Sequence, residues 1–427
     1  MFYLLRHIIN CLSSWHVYLG REIGQVQAPS IIFFPLTASV FFCGLAGILA
    51  VKGSGSKAKR KSGPDDAGED ITQRFEDCIK SDMQSILSGR LPPDAYLGGD
   101  TGLAQMAKDI SLLKADSPFQ TLFFDPRQSS QLFILSGKMK TFLAEEEKIL
   151  EDRAGGFSTA HMELINARLI ALKDITWGLE KDILENIIKI KDLAGIDRVD
   201  GFSPAAMEKY REINSLLNSL DRLEVRGRDS AGIQLSFILK DGQWYSKILN
   251  SLKQQGLYDR FLERTRPSDL VNGSISVSDE NRSHEKGSAK GRAISFTYKT
   301  SSVIGELGLN IRNLREAVSA DSIFREFARQ AAAVVTSLAH TRWASVGSIT
   351  EENCHPVNNF TEGENSKIKT YPRYGTGAWS INCVLNGDID NYDTLRLALE
   401  AGHDLIAPEL TTDTKIIPLQ IEKNLFD

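Results

Sequence analysis

The stretch IIFFPLTASVFFCGLAGILAV, Ile31 to Val51, decides how the rest of this chain is read. It runs for 21 residues without a charge and is followed at once by the basic run KGSGSKAKRK. On hydropathy alone it is a membrane-spanning helix with a basic cytoplasmic flank. Its second half has another texture, because CGLAGILA opens on a cysteine and holds two glycines. Cys43 either sits in lipid or begins a chemical site.

The totals are ordinary for a soluble protein and leave both choices open. A chain of 427 residues has room for two or three domains, each with its own core. With 42% hydrophobic and 25% charged residues and a formal net charge of −5, there is no basic surplus to neutralise phosphates, so nucleic acid is not an expected partner. The five cysteines (Cys11, Cys43, Cys78, Cys354, Cys383) are widely spaced with no CxxC pair, which suits neither a disulfide framework nor a zinc site. A reducing cytoplasm is the matching compartment. Met1 to Phe42 shows no small-residue cleavage site of the secretory type.

Downstream, KGSGSKAKRKSGPDDAGED reads as an exposed linker. From about Ile71 to Leu220 apolar residues recur at three- and four-residue spacing, as in ITQRFEDCIKSDMQSIL, SSQLFILSGKMKTFLAEEEKIL and TAHMELINARLIALKDITWGLEKDILENIIKIKDLAG. The spacing predicts helices, with Ser158 capping the third segment and Gly195 ending it. A fourth helix follows from Ser203-Pro204, a cap and a first-turn proline. Charged runs such as AEEEKILEDR are solvated helix faces. Nothing in this block suggests chemistry.

After Leu223, QLSFILK, ISFTYKT and AWSINCVL are short runs bounded by turn residues and predict strands. NGSISVSDENRSHEKGSAKGR reads as a polar surface loop, SADSIFREFARQAAAVVTSLA as one helix, and NYDTLRLALEAGHD as another ended by Gly402. The absence of GxGxxG and GKS loops argues against a nucleotide-binding fold.

Four stretches stand out: RLEVRGRDSAG (Arg222–Gly232), HTRWASVG (His340–Gly347), NGDIDNY (Asn386–Tyr392) and TTDTK (Thr411–Lys415). Singly, each has a bland reading: Arg342 as a surface ion-pair partner, Asn386-Gly387 as a type I′ turn, Asp413 as a cap. Together and in this order they resemble the class II, N-terminal-nucleophile glutamine amidotransferases, above all the glutaminase half of glucosamine-6-phosphate synthases. RGRDSAG is similar to that family's RG-aromatic-DSAG, with Arg228 at the aromatic position. HTRWASVG followed by NCHP resembles HTRWA…G…N-x-HP, NGDIDNY resembles NG-I-x-NY, and TTDTK resembles TDTE. CGLAGIL matches the family's opening Cys-Gly-Ile-x-Gly, with Cys43 at the nucleophile position. On that likeness Cys43 to Val51 is a core strand, apolar because both its faces are buried.

The resemblance implies an α+β fold: the four-layer αββα N-terminal-nucleophile sandwich, incomplete at its C-terminus, with an inserted helical region. Residues 1–42 are then a leader or over-long start, 43–51 the nucleophile strand, 52–210 linker and helical insertion, and 211–427 a partial amidotransferase core. It also implies the roles. The Cys43 thiol attacks the glutamine amide while its own α-amino group, with an ordinary pKa near ~7.7–8, relays the proton. Asn386 and the Gly387 N–H take the oxyanion, and Arg226 lies beside the nucleophile. Arg342 takes the substrate carboxylate, Asp413 its ammonium, and Trp343 and Ser345 line the pocket. No metal and no cofactor are implied. The partners are L-glutamine and an acceptor domain or subunit for a sugar phosphate that this chain lacks; self-association stays open. His340, His355, Cys354 and Cys383 read as structural.

The chain departs from the family in four ways. Val346 stands where relatives carry a histidine. A long helical stretch separates the nucleophile strand from RGRDSAG, and the segment from Gly232 to His340 is also longer than in relatives. The chain ends shortly after Asp413. The rival readings are a glutamine-binding protein that never frees Cys43 and a helical protein anchored in a membrane through Ile31–Val51.

Overall fold

Alternating apolar and polar residues on either side of Gly232 build the sheet that organises the C-terminal half. The computed structural model describes residues 44–51, 66–153, 157–239, 242–265, 270–280, 291–302, 305–329, 334–344, 347–361, 381–401 and 406–426. Among them, β1 (Gly44–Val51), β2 (Ser230–Leu239), β3 (Ile275–Glu280), β4 (Gly291–Ser301) and β5 (Val334–Arg342) form one sheet in the order β1-β5-β2-β4-β3. Every neighbouring pair is antiparallel.

Period two divides the sheet into unlike faces. Ile233, Leu235 and Phe237 of β2 pair in register with Tyr298, Phe296 and Ile294 of β4. This apolar face meets the helices Leu309–Ala320 and Ser322–Arg329. Phe324 packs 5.6 Å from Phe237 and 5.2 Å from Phe296, ring centre to ring centre, and Phe327 lies 5.2 Å from Phe296. The other face carries Gln234 and Ser236 opposite Thr297 and Ser295. Ser236 and Ser295 share a hydroxyl hydrogen bond of 2.7 Å, and Gln234 Nε2 donates to Thr297 Oγ1 at 3.3 Å. Gln234 also donates to Asn382 Oδ1 (3.2 Å) in a two-stranded ribbon, β6 (Val357–Asn358) with β7 (Asn382–Cys383). Helices pack on one face and the β6–β7 ribbon touches the other through Gln234, an α+β arrangement.

The chain divides into two units, Gly53–Asn214 and Met1–Lys52 with Ser215–Asp427. The first is helical. Its helices Asp66–Ile79, Gly99–Leu113, Pro126–Arg153 and Thr159–Trp177 bury Phe75, Met106, Met139 and Leu172. Ser158 caps the helix from Thr159 by accepting from the His161 N–H, and Gly195 at φ 61° ends the run after a π-helical turn at Gly178–Leu184. Ser203 Oγ accepts from the Ala206 N–H at 3.1 Å at the start of Pro204–Leu223. The segment ITQRFEDCIKSDMQSIL is two helices rather than one, because Asp82 starts a second helix by accepting from the Ser85 N–H at 2.8 Å.

Three expectations in the other unit need correction. SADSIFREFARQAAAVVTSLA is not a single helix: the chain turns at Asp321, forms the helix Ser322–Arg329, and becomes strand β5 from Val334. The β-branched pair Val334-Val335 favours that strand, and pairing on both edges holds it at the inside of the sheet. The surface loop at NGSISVSDENRSHEKGSAKGR contains strand β3, Ile275–Glu280, paired with β4; residues 281–290 lie outside the described residues. AWSINCVL contributes only the two-residue strand β7 among the described residues.

Of the Ile31–Val51 run, residues 31–43 lie outside the described residues. Gly44–Val51 is a strand paired along its whole length with β5, so its second half is not helical. Among the described residues no helix is long and apolar enough to cross a membrane.

Asp321 is the best-tied carboxylate of the sheet unit. It accepts from the N–H groups of Ile323 and Phe324 (3.0 Å each), from Tyr298 Oη (2.7 Å), and from both Nη atoms of Arg264 (2.9 and 2.6 Å). Burial pushes its carboxyl up, but the Arg264 bonds and charge outweigh that and hold it below its ordinary value of 3.8. Its stabilisation is therefore complete above the ordinary value and is lost as pH falls through the lower folded one. Asp321→Asn, which strands the buried Arg264 charge, is expected to cost about 3–5 kcal/mol near neutral pH. Chemical denaturation across pH checks this, with the gap to wild type closing in acid.

Candidate functional site

Two of the four sequence blocks, RLEVRGRDSAG and HTRWASVG, and the strand that follows Cys43 meet at one end of the sheet. Gly44 of β1 pairs with Thr341 of β5, and Ser230 of β2 pairs with Arg342 on one side and Ser301 on the other. Cys43 itself lies outside the described residues, as do Ser345 and Val346.

The RGRDSAG block grips the HTRWA block by backbone approach. The Asp229 N–H donates to the Arg342 carbonyl (3.1 Å), and Asp229 Oδ2 accepts from the Ala344 N–H (2.8 Å). A side chain on Gly227 would come within 2.7 Å of the Arg342 carbonyl carbon, so only glycine fits there. Gly232 is more constrained: a methyl group there would overlap the His355 carbonyl, which lies directly on β2.

Arg342 is buried, 4% exposed, and its Nη1 donates to the Ser348 carbonyl at 3.0 Å. The Ser348 N–H in turn donates to Thr411 Oγ1 at 2.9 Å. Gly347 stands at φ 87°, and a side chain there would come within 3.0 Å of the Thr411 carbonyl, so conformation and space both favour glycine. These contacts join the HTRWASVG block to TTDTK. TTDTK is joined to NGDIDNY as well, since Asp413 Oδ2 accepts from the Ile389 N–H at 2.7 Å. Beneath both loops Leu399, Ile406, Leu410, Ile416 and Leu419 form a small apolar cluster with Ile389 and Tyr392 against it.

Asp413 is 4% exposed. Burial raises its carboxyl above the ordinary value, opposed by the Ile389 N–H, while the charge of Asp388 raises it further. Among the described residues no cation lies within ion-pair distance of it. Lys415, two residues on, sends its Nζ instead to Asn358 Oδ1 (3.1 Å) and the Phe360 carbonyl (2.6 Å). Cys383 is a thiol rather than a thiolate, since burial, with the Asp413 charge beside it, pushes it up to about 12.

The remaining candidates are more open. Asn386 is exposed, and Gly387 stands at φ 150° with only Leu385 Cδ1 near its open side, at 4.0 Å. That φ is not the geometry of a type I′ turn. Arg226 is exposed on the single turn Glu224–Arg226, and Trp343 is 52% exposed. The structure therefore links Arg342 and Asp413 through Ser348 and Thr411, and leaves Arg226 and Trp343 facing solvent.

His340 and His355 stack at 4.5 Å between ring centres, both buried. Among the described residues neither His340 nitrogen has a hydrogen-bond partner, and His355 Nε2 lies 3.2 Å from Thr412 Oγ1. Burial, with Arg342 nearby, pushes His340 down to about 3 and holds His355 well below its ordinary range. Burial raises Cys354, whose Sγ points to the His355 carbonyl at 3.5 Å. A Cys354–His340 nucleophile–base pair is thus disfavoured from both sides.

Residues not singled out in the sequence prove central. Asp229 and Thr411 lay inside the quoted blocks, and Asn353 opens NCHP. Their partners are 56 to 115 residues away, so no local spacing revealed them. Among the described residues no cluster of His, Cys, Asp and Glu could hold a metal ion. The helical unit has an open groove of about 480 Å³ walled by Phe75, Ile79, Leu135 and Phe142, and none of the sequence blocks lines it. No family model, curated protein or solved structure matches the chain.

Two buried neutral histidines tie stability to mild acid. Below 6.5 the unfolded chain takes up protons that the folded imidazoles refuse, so stability falls as pH drops. For His340 alone this amounts to about 2 kcal/mol between pH 6.5 and pH 5. His340→Phe, which keeps a ring without the unpartnered nitrogens, is expected to flatten that slope; melting curves across this range measure it.

Proposed function

We propose that this chain is a glutaminase of the N-terminal-nucleophile amidotransferase class, hydrolysing L-glutamine to glutamate and ammonia. Its sheet and helices belong, on this reading, to a four-layer αββα sandwich. The observation that carries the reading is the convergence of the sequence blocks: the strand after Cys43 runs beside β5, and Arg342 ends β5 next to Ser230 of RGRDSAG. Asp413 adds to it, being a buried carboxylate with no described cation beside it, which an incoming ammonium would neutralise.

The chemistry follows from these groups. With residues 1–42 removed, the Cys43 α-amine takes the thiol proton as sulfur bonds to the substrate's side-chain amide carbon. The amine then delivers that proton to the departing ammonia, leaving a γ-glutamyl thioester. Water adds to the thioester, glutamate leaves, and the thiol is restored. The carbonyl oxygen carries negative charge in both steps and accepts from the Asn386 amide and the Gly387 N–H. Gly387 serves this role by offering its N–H without a side chain in the way. Arg342 holds the substrate α-carboxylate with its planar fork, and Asp413 holds the α-ammonium. By likeness the ammonia serves glucosamine-6-phosphate synthesis from fructose 6-phosphate in an acceptor domain or subunit outside this chain, in the cytoplasm.

The rival reading is a glutamine-binding protein that never frees Cys43 and so does not turn glutamine over. The intact mass and N-terminal sequence of the purified chain, measured with a glutaminase assay, separate the two. Cys43 at the N-terminus, with ammonia release abolished in Cys43→Ala, is the expected result. A retained Phe42–Cys43 bond without turnover, or turnover surviving in Cys43→Ala, overturns the mechanism.

Removing the oxyanion donor in Asn386→Ala is expected to lower kcat about 10²–10³-fold with little change in KM, since the bond strengthens only as charge develops on oxygen. Steady-state kinetics on the processed enzyme check this.

A further inference from the structure

Asn353 is 0% exposed, and its amide is bonded at both ends. Oδ1 accepts from the N–H groups of Thr411 (2.7 Å) and Thr412 (2.8 Å) and from Thr411 Oγ1 (3.3 Å). Nδ2 donates to the Glu409 carbonyl (2.8 Å) and to Thr350 Oγ1 (2.9 Å). A primary amide has two acceptor lone pairs and two donors, and here both functions are in use. All but one of these bonds go to the turn at residues 409–412, which leads directly into Asp413.

Asp413 needs such a fixture. Among the described residues the Ile389 N–H is its backbone partner from another segment, and its buried carboxylate is costly unless held where an ammonium can reach it. Freeing the Thr411 and Thr412 N–H groups would let the turn relax, and Asp413 would move with it. We propose that Asn353 is a positioning residue that fixes Asp413 for the α-ammonium of the substrate, and so sets selectivity for substrates that carry that group. This rests on the glutaminase reading, in which Asp413 is the ammonium site.

The test compares L-glutamine with glutaric acid monoamide, which differs from it only in lacking the α-amino group. Calorimetric affinities are measured on the full chain carrying Cys43→Ala, so that glutamine is not consumed, with Asn353 and Asp413 unchanged (the wild-type site) and with Asn353→Ala, Asn353→Asp or Asp413→Asn added, and thermal melting reports folding. The wild-type site is expected to prefer glutamine. In Asn353→Ala glutamine affinity is expected to fall about tenfold or more, the scale of a lost charge-assisted contact, while the analogue stays within about twofold. Asp413→Asn is expected to show the same collapse of the ratio.

Asn353→Asp keeps the shape and the accepting oxygen but sets a carboxylate oxygen against the Glu409 carbonyl. Its ratio is expected to fall part of the way, which carries the test if the alanine variant does not fold. A wild-type ratio in either folded variant overturns the inference, as does an equal loss for both ligands, the mark of a merely structural role. A wild-type site that binds no glutamine overturns the functional reading and this inference with it.

Discussion

The His355 carbonyl rests directly on strand β2 because Gly232 has no side chain to hold it off. That contact sets the distance between the polar face of the sheet and the segment carrying Asn353, Cys354 and His355. With the segment at that height His355 stacks on His340, and Asn353 stands within reach of the turn before Asp413. Gly227 and Gly347 repeat the device, each letting one backbone lie against another where a methyl group would intrude. At these three places the contact is backbone against backbone rather than between apolar side chains.

The two buried aspartates of this unit show how environment separates structure from chemistry. Asp321 is saturated by Arg264, Tyr298 and a helix N-terminus, and its carboxyl lies below the ordinary value. Asp413 is buried to a similar degree, lacks a described cation, and lies above the ordinary value. A group of the first kind has spent its capacity on the fold, whereas one of the second kind is stabilised by a positive ligand. The stacked histidines belong with neither: held neutral by burial, they fill space in the interior while Arg342 and Lys299 lie nearby.

The helical unit is built on more local terms. Caps at Asp82, Ser158 and Ser203 and a left-handed glycine at Gly195 punctuate its helices, and the apolar stripes between them supply its core. Arg168 is its main long-range polar tie, donating to the carbonyls of Asp94 and Tyr96 and pairing with Asp100. Such a unit reads clearly in a sequence, because helical periodicity and capping are decided by residues three or four apart.

The same reasoning explains where sequence reading reached its limit elsewhere. Ser158, Gly195 and Ser203 were legible as helix boundaries, and the strands around QLSFILK and ISFTYKT were legible as alternating runs. Val334–Arg342 was not, since its alanine-rich approach carries a helical pattern and only pairing with β1 and β2 makes it the strand inside the sheet. Ile31–Val51 had the hydropathy of a span, yet Gly44–Val51 satisfies its backbone by pairing with β5, which no local count of apolar residues reveals. The sequence by itself singled out Cys43, Arg342, Asn386, Gly387 and Asp413 as candidates. Only the tertiary structure decided that Arg342 and Asp413 are buried and tied together through Ser348, Thr411 and Asn353, while Arg226 and Trp343 are left to solvent. Burial and hydrogen bonding between segments more than fifty residues apart are properties of the folded chain, and they set charge, reach and exposure.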